Sequence, residues 1–244
     1  MAGISEEMAA ALSRERPALT HTSTARRVTD ILRTHITEGL LPPGTRLSEE
    51  AIGRALGVSR NTLREAFALL YHERLAVHHL NRGMFVPTLT REDVSEIYTL
   101  RRLVEGGAAR LAGTADPAAR QAVSDAVDSA EAYAAAGQWL DVRTADLRFH
   151  QAIAGLAGSS RVDELMRRAL AELRLIFHVM ESPEEFHRPY LERNRSIAES
   201  VMRGDGKSAE RELLRYLADA EAQILAAYNV PALAADGHSE VPAH

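Results

Sequence analysis

Cysteine is missing from this chain of 244 residues. Its absence excludes a disulfide framework, thiolate-ligated zinc, iron–sulfur clusters and a cysteine nucleophile, and it suits a reducing compartment. Lysine is almost missing too: Lys207 stands alone, so nearly all positive charge is guanidinium. No apolar run approaches the roughly 18 residues that a membrane-spanning helix needs. The start, Met1-Ala-Gly-Ile-Ser-Glu-Glu7, carries acids where a signal peptide carries bases. These absences predict a soluble cytoplasmic protein with no membrane partner. What is present, 45% hydrophobic and 26% charged residues, is ordinary globular composition.

The charge is unevenly spread. Between His21 and Thr88 nine arginines stand against six acids, an excess of +3 on a chain of net charge −5, which leaves −8 for the remainder. A basic segment on an acidic body predicts local contact with a polyanion rather than general adhesion.

The patterning divides the chain. Residues 1–22 lack sustained periodicity and are expected to form a flexible tail. From Thr24, Val28, Ile31, Leu32 and Ile36 mark one face of a helix that ends near Gly39 and the Pro42-Pro43-Gly44 break. Ser48, followed by Glu49 and Glu50, predicts an N-cap for a short helix carrying Ile52 and Leu56 inward and stopping at Gly57. Ser59 predicts a second cap, for a helix over 59–73 with Leu63, Ala66, Phe67 and Leu70 buried. Leu75–Leu80 and Met84–Val86 alternate as short strands around Asn81-Arg82-Gly83, a hairpin signal. Helix, helix, tight turn, helix and hairpin over residues 23–88 describe a winged helix-turn-helix with a two-stranded wing.

After Pro87 every pattern is helical. Thr90–Asp93 predicts a capping box for a helix to about Ala112, and Asp116-Pro117 starts another to about Ala136. Further helices are expected from about Trp139 to Ala154, Arg161 to Met180, Tyr190 to Arg203, and after Gly206 to about Tyr228. The expected fold is therefore mainly α: the winged domain, then an antiparallel bundle of about six helices over 89–228, then a flexible tail over 229–244.

The helix over 59–73 carries the chemistry. Its apolar stripe leaves Arg60, Asn61 and Arg64 outside at the N-terminal end, with Arg60 and Arg64 one above the other. A recognition helix presents this end to the major groove. Arginine can give two parallel hydrogen bonds to guanine, and asparagine two to adenine. Ser59, Thr62 and the helix N-terminus can hold phosphate oxygens. Arg82 at the hairpin tip can reach a minor groove or the DNA backbone, and Gly83 lets the main chain approach.

Leu47–Ala66, with the preceding Gly39–Leu47 and the later Asn81-Arg-Gly-Met-Phe-Val86, resembles the DNA-binding domain of GntR-type bacterial regulators. The helical remainder resembles the FCD effector domain of the FadR subfamily. The resemblance implies a homodimer that sets two winged helices on an inverted-repeat operator, with a small molecule altering their spacing; the expected activity is that of a repressor. It points to Arg46, Ser59, Arg60, Asn61, Arg64, Arg82 and Gly83 as DNA contacts. Two positions depart from the pattern: Glu50 stands where many relatives carry a DNA-contacting arginine, and Arg74 replaces a glycine before the wing.

Asp146 and His150 lie four residues apart and can project from one helix toward a common point. In related FCD domains such a pair joins two later histidines around a divalent metal; the matching positions here are Asn194 and Tyr216. Two readings stay open. Asp146, His150 and Asn194 hold a degenerate site for zinc, nickel or manganese, or an Asp–His hydrogen bond closes a polar pocket without metal. Losing two imidazoles weakens zinc strongly, because zinc favours nitrogen and sulfur donors. Arg101, four residues before Glu105, either turns inward to clamp the carboxylate of an organic-acid effector or pairs with Glu105 at the surface. Arg174 and His178 form a further pair. The expected effector set is Arg101, Asp146, His150, Arg174, Asn194 and Tyr216. No catalytic set emerges: Gly206-Lys207-Ser208 lacks the earlier glycine of a phosphate loop, and no Ser–His–Asp arrangement is visible. The rival readings are a DNA-binding dimer without effector response and a metal-dependent enzyme using Asp146 and His150.

Overall fold

The computed structural model describes residues 22–38, 40–177, 180 and 182–228. The expected tails, apart from Thr22, lie outside these residues, as does His178. Helix α1 (Thr22–Glu38) buries Val28, Leu32 and Ile36, whereas Ile31, expected on the same face, is exposed. Strand β1 is only Arg46–Leu47. Helix α2 (Glu49–Leu56) starts at Ser48, whose hydroxyl accepts from Ala51 N, and ends at Gly57 in the left-handed region, φ 65°. Helix α3 (Arg60–His72) starts at Ser59 and buries Leu63, Ala66, Phe67 and Leu70, the stripe expected from the sequence. Strands β2 (Val77–His79) and β3 (Gly83–Phe85) form the hairpin. The sheet has a third member: β1 pairs antiparallel with the far side of β3, Leu47 opposite Met84, in the order β1-β3-β2. The wing is thereby tied to the segment that leads into α2.

The bundle comprises α4 (Arg91–Arg110), α5 (Pro117–Ala135), α6 (Trp139–Gly155), α7 (Ser160–Ile176), α8 (Pro183–Met202) and α9 (Gly206–Ala227). The capping box at Thr90 and Asp93 is formed, and Asp116 with Pro117 opens α5. Two boundaries differ from expectation. Helix α7 ends at Ile176, and α8 begins seven residues before Tyr190, at Pro183. Ser182 caps α8, Glu184 and Glu185 occupy its first turn, and Pro189 is carried inside the helix. That proline forgoes one intrahelical hydrogen bond; the burial of Phe186, His187 and Tyr190 on the same stretch offsets the loss.

Val94, Phe149, Ile153, Met166, Leu173, Ile197 and Leu213 form the fully buried centre of the bundle. Helices α4 and α9 pack so closely that a Cβ on Gly206 would lie 2.2 Å from the Arg110 carbonyl oxygen, so no larger residue fits there. The two domains share apolar surface: Leu175 of α7 belongs to the winged-domain core beside Leu47, Phe67 and Val86. Among the described residues no helix is long and apolar enough to cross a membrane.

Candidate nucleic-acid interface and buried polar site

On α3, Arg60, Asn61 and Arg64 are exposed, as is Arg46 on β1. Arg46, Arg60 and Gly83 border one cleft, which joins the start of α3 to the wing. The hairpin turn puts Asn81 at φ 61° and Gly83 at φ 94°, conformations that favour these residue types. A Cβ at Gly83 would meet only Arg46 Nε, at 4.0 Å, so conformation rather than space requires glycine. Arg82 stacks over Phe85, 5.8 Å from the ring centroid. Thr62 sits differently from its sequence-based role. Its side chain is buried and shares a 2.9 Å hydrogen bond with Ser59 Oγ, so its hydroxyl serves the helix cap.

Acids shield part of this face. Arg64 Nε donates to Glu49 Oε1 at 3.0 Å, and Arg54 pairs with Glu50 at 2.7 Å. Arg74, at the glycine position before the wing, does adopt the left-handed φ of 58°. Its guanidinium lies 3.7 Å from Glu172 of α7, across the domain boundary.

Inside the bundle, five of the six residues expected at the effector site come together. Arg101 is 1% exposed and donates from Nε to Glu105 Oε1 at 2.7 Å. The pair expected at the surface therefore exists, but in the core. The other Glu105 oxygen accepts from His150 Nδ1 at 2.6 Å. Asp146 Oδ1 accepts from Asn194 Nδ2 at 2.9 Å and from the Tyr216 hydroxyl at 3.0 Å. Tyr216 also lies 3.3 Å from His150 Nε2. Arg174 is elsewhere, in a groove lined by α1, α6 and α7.

Charge partners outweigh desolvation at both carboxyls. Burial pushes Glu105 up, but Arg101 and then His150 pull it below the usual carboxylate range. Burial likewise opposes ionisation of Asp146, and His150, His187 and the Asn194 amide reverse the effect. Tyr216 is driven well above its ordinary value by burial and by Asp146, so its phenol stays neutral. Burial lowers the His187 pKa against the attraction of Asp146.

This donor set does not fit the divalent metal expected on Asp146, His150 and Asn194. Asn194 turns its N–H toward Asp146 rather than offering Oδ1 alongside it, and Tyr216 is a neutral phenol whose hydroxyl also donates to Asp146. Among the described residues no three His, Cys, Asp or Glu side chains are arranged to hold a metal ion. Hydrogen bonds close the site instead.

Two family models match the chain: bacterial regulatory proteins of the gntR family over residues 24–86, and the FCD domain over residues 96–219. The chain belongs to the GntR family of transcriptional regulators and carries an FCD domain. A crystal structure of a GntR transcriptional regulator from Rhodococcus sp. RHA1 is 47% identical, with a TM-score of 0.78, covering 84% of this chain and 99% of that one. An uncharacterized HTH-type regulator of the TAR-I ttuE-ttuC' intergenic region of Agrobacterium vitis is 34% identical over 130 residues, 52% of this chain and 76% of that protein. The "Probable D-xylose utilization operon transcriptional repressor" of Paenarthrobacter nicotinovorans is 27% identical over 206 residues, covering 82% and 88%. The family is one of regulators, not enzymes.

Sequence reasoning passed over two residues. His187 is 2% exposed, with Nδ1 3.8 Å from Asp146 Oδ2. It escaped because α8 was expected to begin after it; Ser182-Pro183-Glu184-Glu185 was the available signal. Arg143 is 7% exposed, donates to the Thr37 carbonyl oxygen of α1 at 3.4 Å, and exerts its charge on His187. No local motif marks it.

Proposed function

We propose that this GntR-family regulator is a sequence-specific repressor that binds an inverted-repeat operator as a homodimer, reading DNA with residues 23–88 and sensing an effector with residues 89–228. The observation that carries the DNA reading is the shared cleft of Arg46, Arg60 and Gly83, continued by Asn61, Arg64 and Arg82 on the exposed face. Arg60, Asn61 and Arg64 read base edges in the major groove. Ser59 and the α3 N-terminus take phosphate oxygens, and Arg82 anchors the wing on the backbone. The repressor named for D-xylose utilization supports the sign of the regulation.

The effector is a small hydroxylated organic acid bound among Arg101, Asp146, His150, Asn194 and Tyr216. Three buried atoms support this choice: Arg101 Nη2, Asn194 Oδ1 and His187 Nδ1 have no hydrogen-bond partner among the described residues. Each such group left alone costs about 1–3 kcal/mol. A carboxylate answers the arginine N–H and a hydroxyl answers the amide oxygen. The effector acts by favouring one arrangement of the two domains over another, which requires different affinity for the two. A thermal-shift screen of hydroxy acids tests this, followed by DNA-binding titrations with each hit. A hit that changes DNA affinity in the wild type, but neither binds nor acts in Arg101→Gln, supports the reading. Hits whose action persists in that variant contradict it.

A further inference from the structure

Two hydrogen bonds reach Asp146, from Asn194 Nδ2 and from the Tyr216 hydroxyl, and both end on Oδ1. Its other oxygen, Oδ2, lies 3.8 Å from His150 Nε2 and 3.8 Å from His187 Nδ1. That separation is too long for a hydrogen bond, yet one oxygen atom set beside it would lie within bonding distance of both Asp146 Oδ2 and His187 Nδ1. Helix α8 brings His187 to this place, and Phe186 and Phe177 hold the ring edge-on, with centroids 4.9 and 5.3 Å away. Neither phenylalanine offers a polar atom, and the buried Nδ1 has no hydrogen-bond partner among the described residues. Burial lowers the pKa of the imidazole, so it stands neutral and offers one donor and one acceptor nitrogen.

The donors and acceptors of the site set its demand. Arg101 Nη2 only donates, whereas Asn194 Oδ1 and Asp146 Oδ2 only accept. A carboxylate answers the arginine, but each oxygen asks for an O–H, and one hydroxyl has a single proton. We infer that His187 and Asp146 Oδ2 form a hydroxyl clamp, and that the effector is an acid with at least two hydroxyls, one in this clamp and one on the Asn194 amide oxygen. The inference rests on the effector reading of the buried site and adds His187 as the residue that selects hydroxylated acids. In the clamp the hydroxyl donates to Asp146 Oδ2 and accepts from His187 Nδ1–H. A deoxy acid sets a methylene against both atoms and leaves buried polar groups unanswered. Sites built around a ligand hydroxyl reject the analogue that lacks it for this reason.

The probes are two series of constant carbon skeleton, glycerate, lactate and propionate, and tartrate, malate and succinate, with both enantiomers of each chiral acid. Each is titrated calorimetrically into the full chain. In at least one series the wild type should lose about tenfold in affinity with each hydroxyl removed. His187→Leu should abolish one of the two steps and keep the other. His187→Asn, which retains a hydrogen-bonding group near the Nδ1 position, should preserve both. If His187→Leu keeps both steps, the clamp is overturned while the effector reading stands. Equal weakening of every acid by both variants assigns His187 to packing alone and also overturns the clamp. If no acid of either series binds the wild type, the effector reading falls and the clamp falls with it.

Discussion

Arg64 Nε donates to Glu49 Oε1 at 3.0 Å, so an acid of α2 holds one of the arginines proposed to face DNA. On that proposal, DNA binding displaces this carboxylate. The pair is exposed on the arginine side, 67%, where such bonds contribute about 0.2–1 kcal/mol. Glu49→Gln is therefore expected to tighten DNA binding by about two- to fivefold. Arg64→Ala should cost about 1–3 kcal/mol at a specific site. Fluorescence anisotropy with a short duplex measures both, and an unchanged affinity in Arg64→Ala removes that residue from the recognition face.

Arg74 holds a left-handed backbone, φ 58°, where a side chain costs roughly 1 kcal/mol. Its contact with Glu172 is 3.7 Å long and the arginine is 73% exposed, so strain outweighs the pair. Arg74→Gly should raise unfolding stability by roughly 1 kcal/mol in urea. A clear loss of stability would show that the interdomain pair dominates.

Glu172 gives the protein a pH dependence. Burial, reinforced by Asp93 and opposed by Arg74, pushes its carboxyl up to about 7. The folded state then binds this proton more tightly than the unfolded chain, whose glutamate lies near 4.5. This group's contribution is greatest below the unfolded value and is lost as pH rises through about 7. His72, His79 and Arg82 line the same pocket, so the comparison must be with Glu172→Gln. That variant should gain stability over wild type at pH near 8 and lose the advantage near pH 5. The same difference at both values would remove Glu172 as the cause.

Glu105 joins Arg101 and His150 with both oxygens, and all three are buried. Glu105→Gln leaves two nitrogen donors facing a neutral group, and breaking a buried pair from one side costs about 3–5 kcal/mol. Tyr216→Phe removes one of two donors to Asp146 and should cost about 1–3 kcal/mol. Urea unfolding ranks the two; a milder loss for Glu105→Gln would contradict the charge argument.

Asp146 accepts from the Asn194 amide and the Tyr216 hydroxyl, two neutral donors that stand where a divalent ion needs further ligating groups. Elemental analysis of protein purified without a tag or chelator should find far less than one zinc, nickel or manganese per chain. A stoichiometric metal would mean that Asn194 and Tyr216 rearrange to admit it.

The start of α3 and the wing were legible because their signals are local: Ser59 as cap, a four-residue apolar repeat, and Asn-Arg-Gly at the turn. Strand β1 was not. Two residues carry no alternation, and Arg46–Leu47 becomes a strand only by pairing with Met84 and Phe85 far along the chain. His187 was hidden because the pattern starts α8 only near Tyr190; the helix begins at Pro183 and carries Pro189 inside it, with Phe186 and Tyr190 buried. Arg101 allowed two readings because its four-residue spacing to Glu105 is the same on a surface and in a core. Packing against α6 and α9 decides, and no local pattern encodes it.

Selection from a random duplex library tests the central claim most directly, comparing wild type with the Arg60→Ala, Arg64→Ala double variant and following with anisotropy on the enriched site. The account predicts that the wild type enriches an inverted repeat and that the double variant loses both enrichment and affinity for it. Failure of the wild type to enrich any sequence, or the same site bound equally by the double variant, would contradict it.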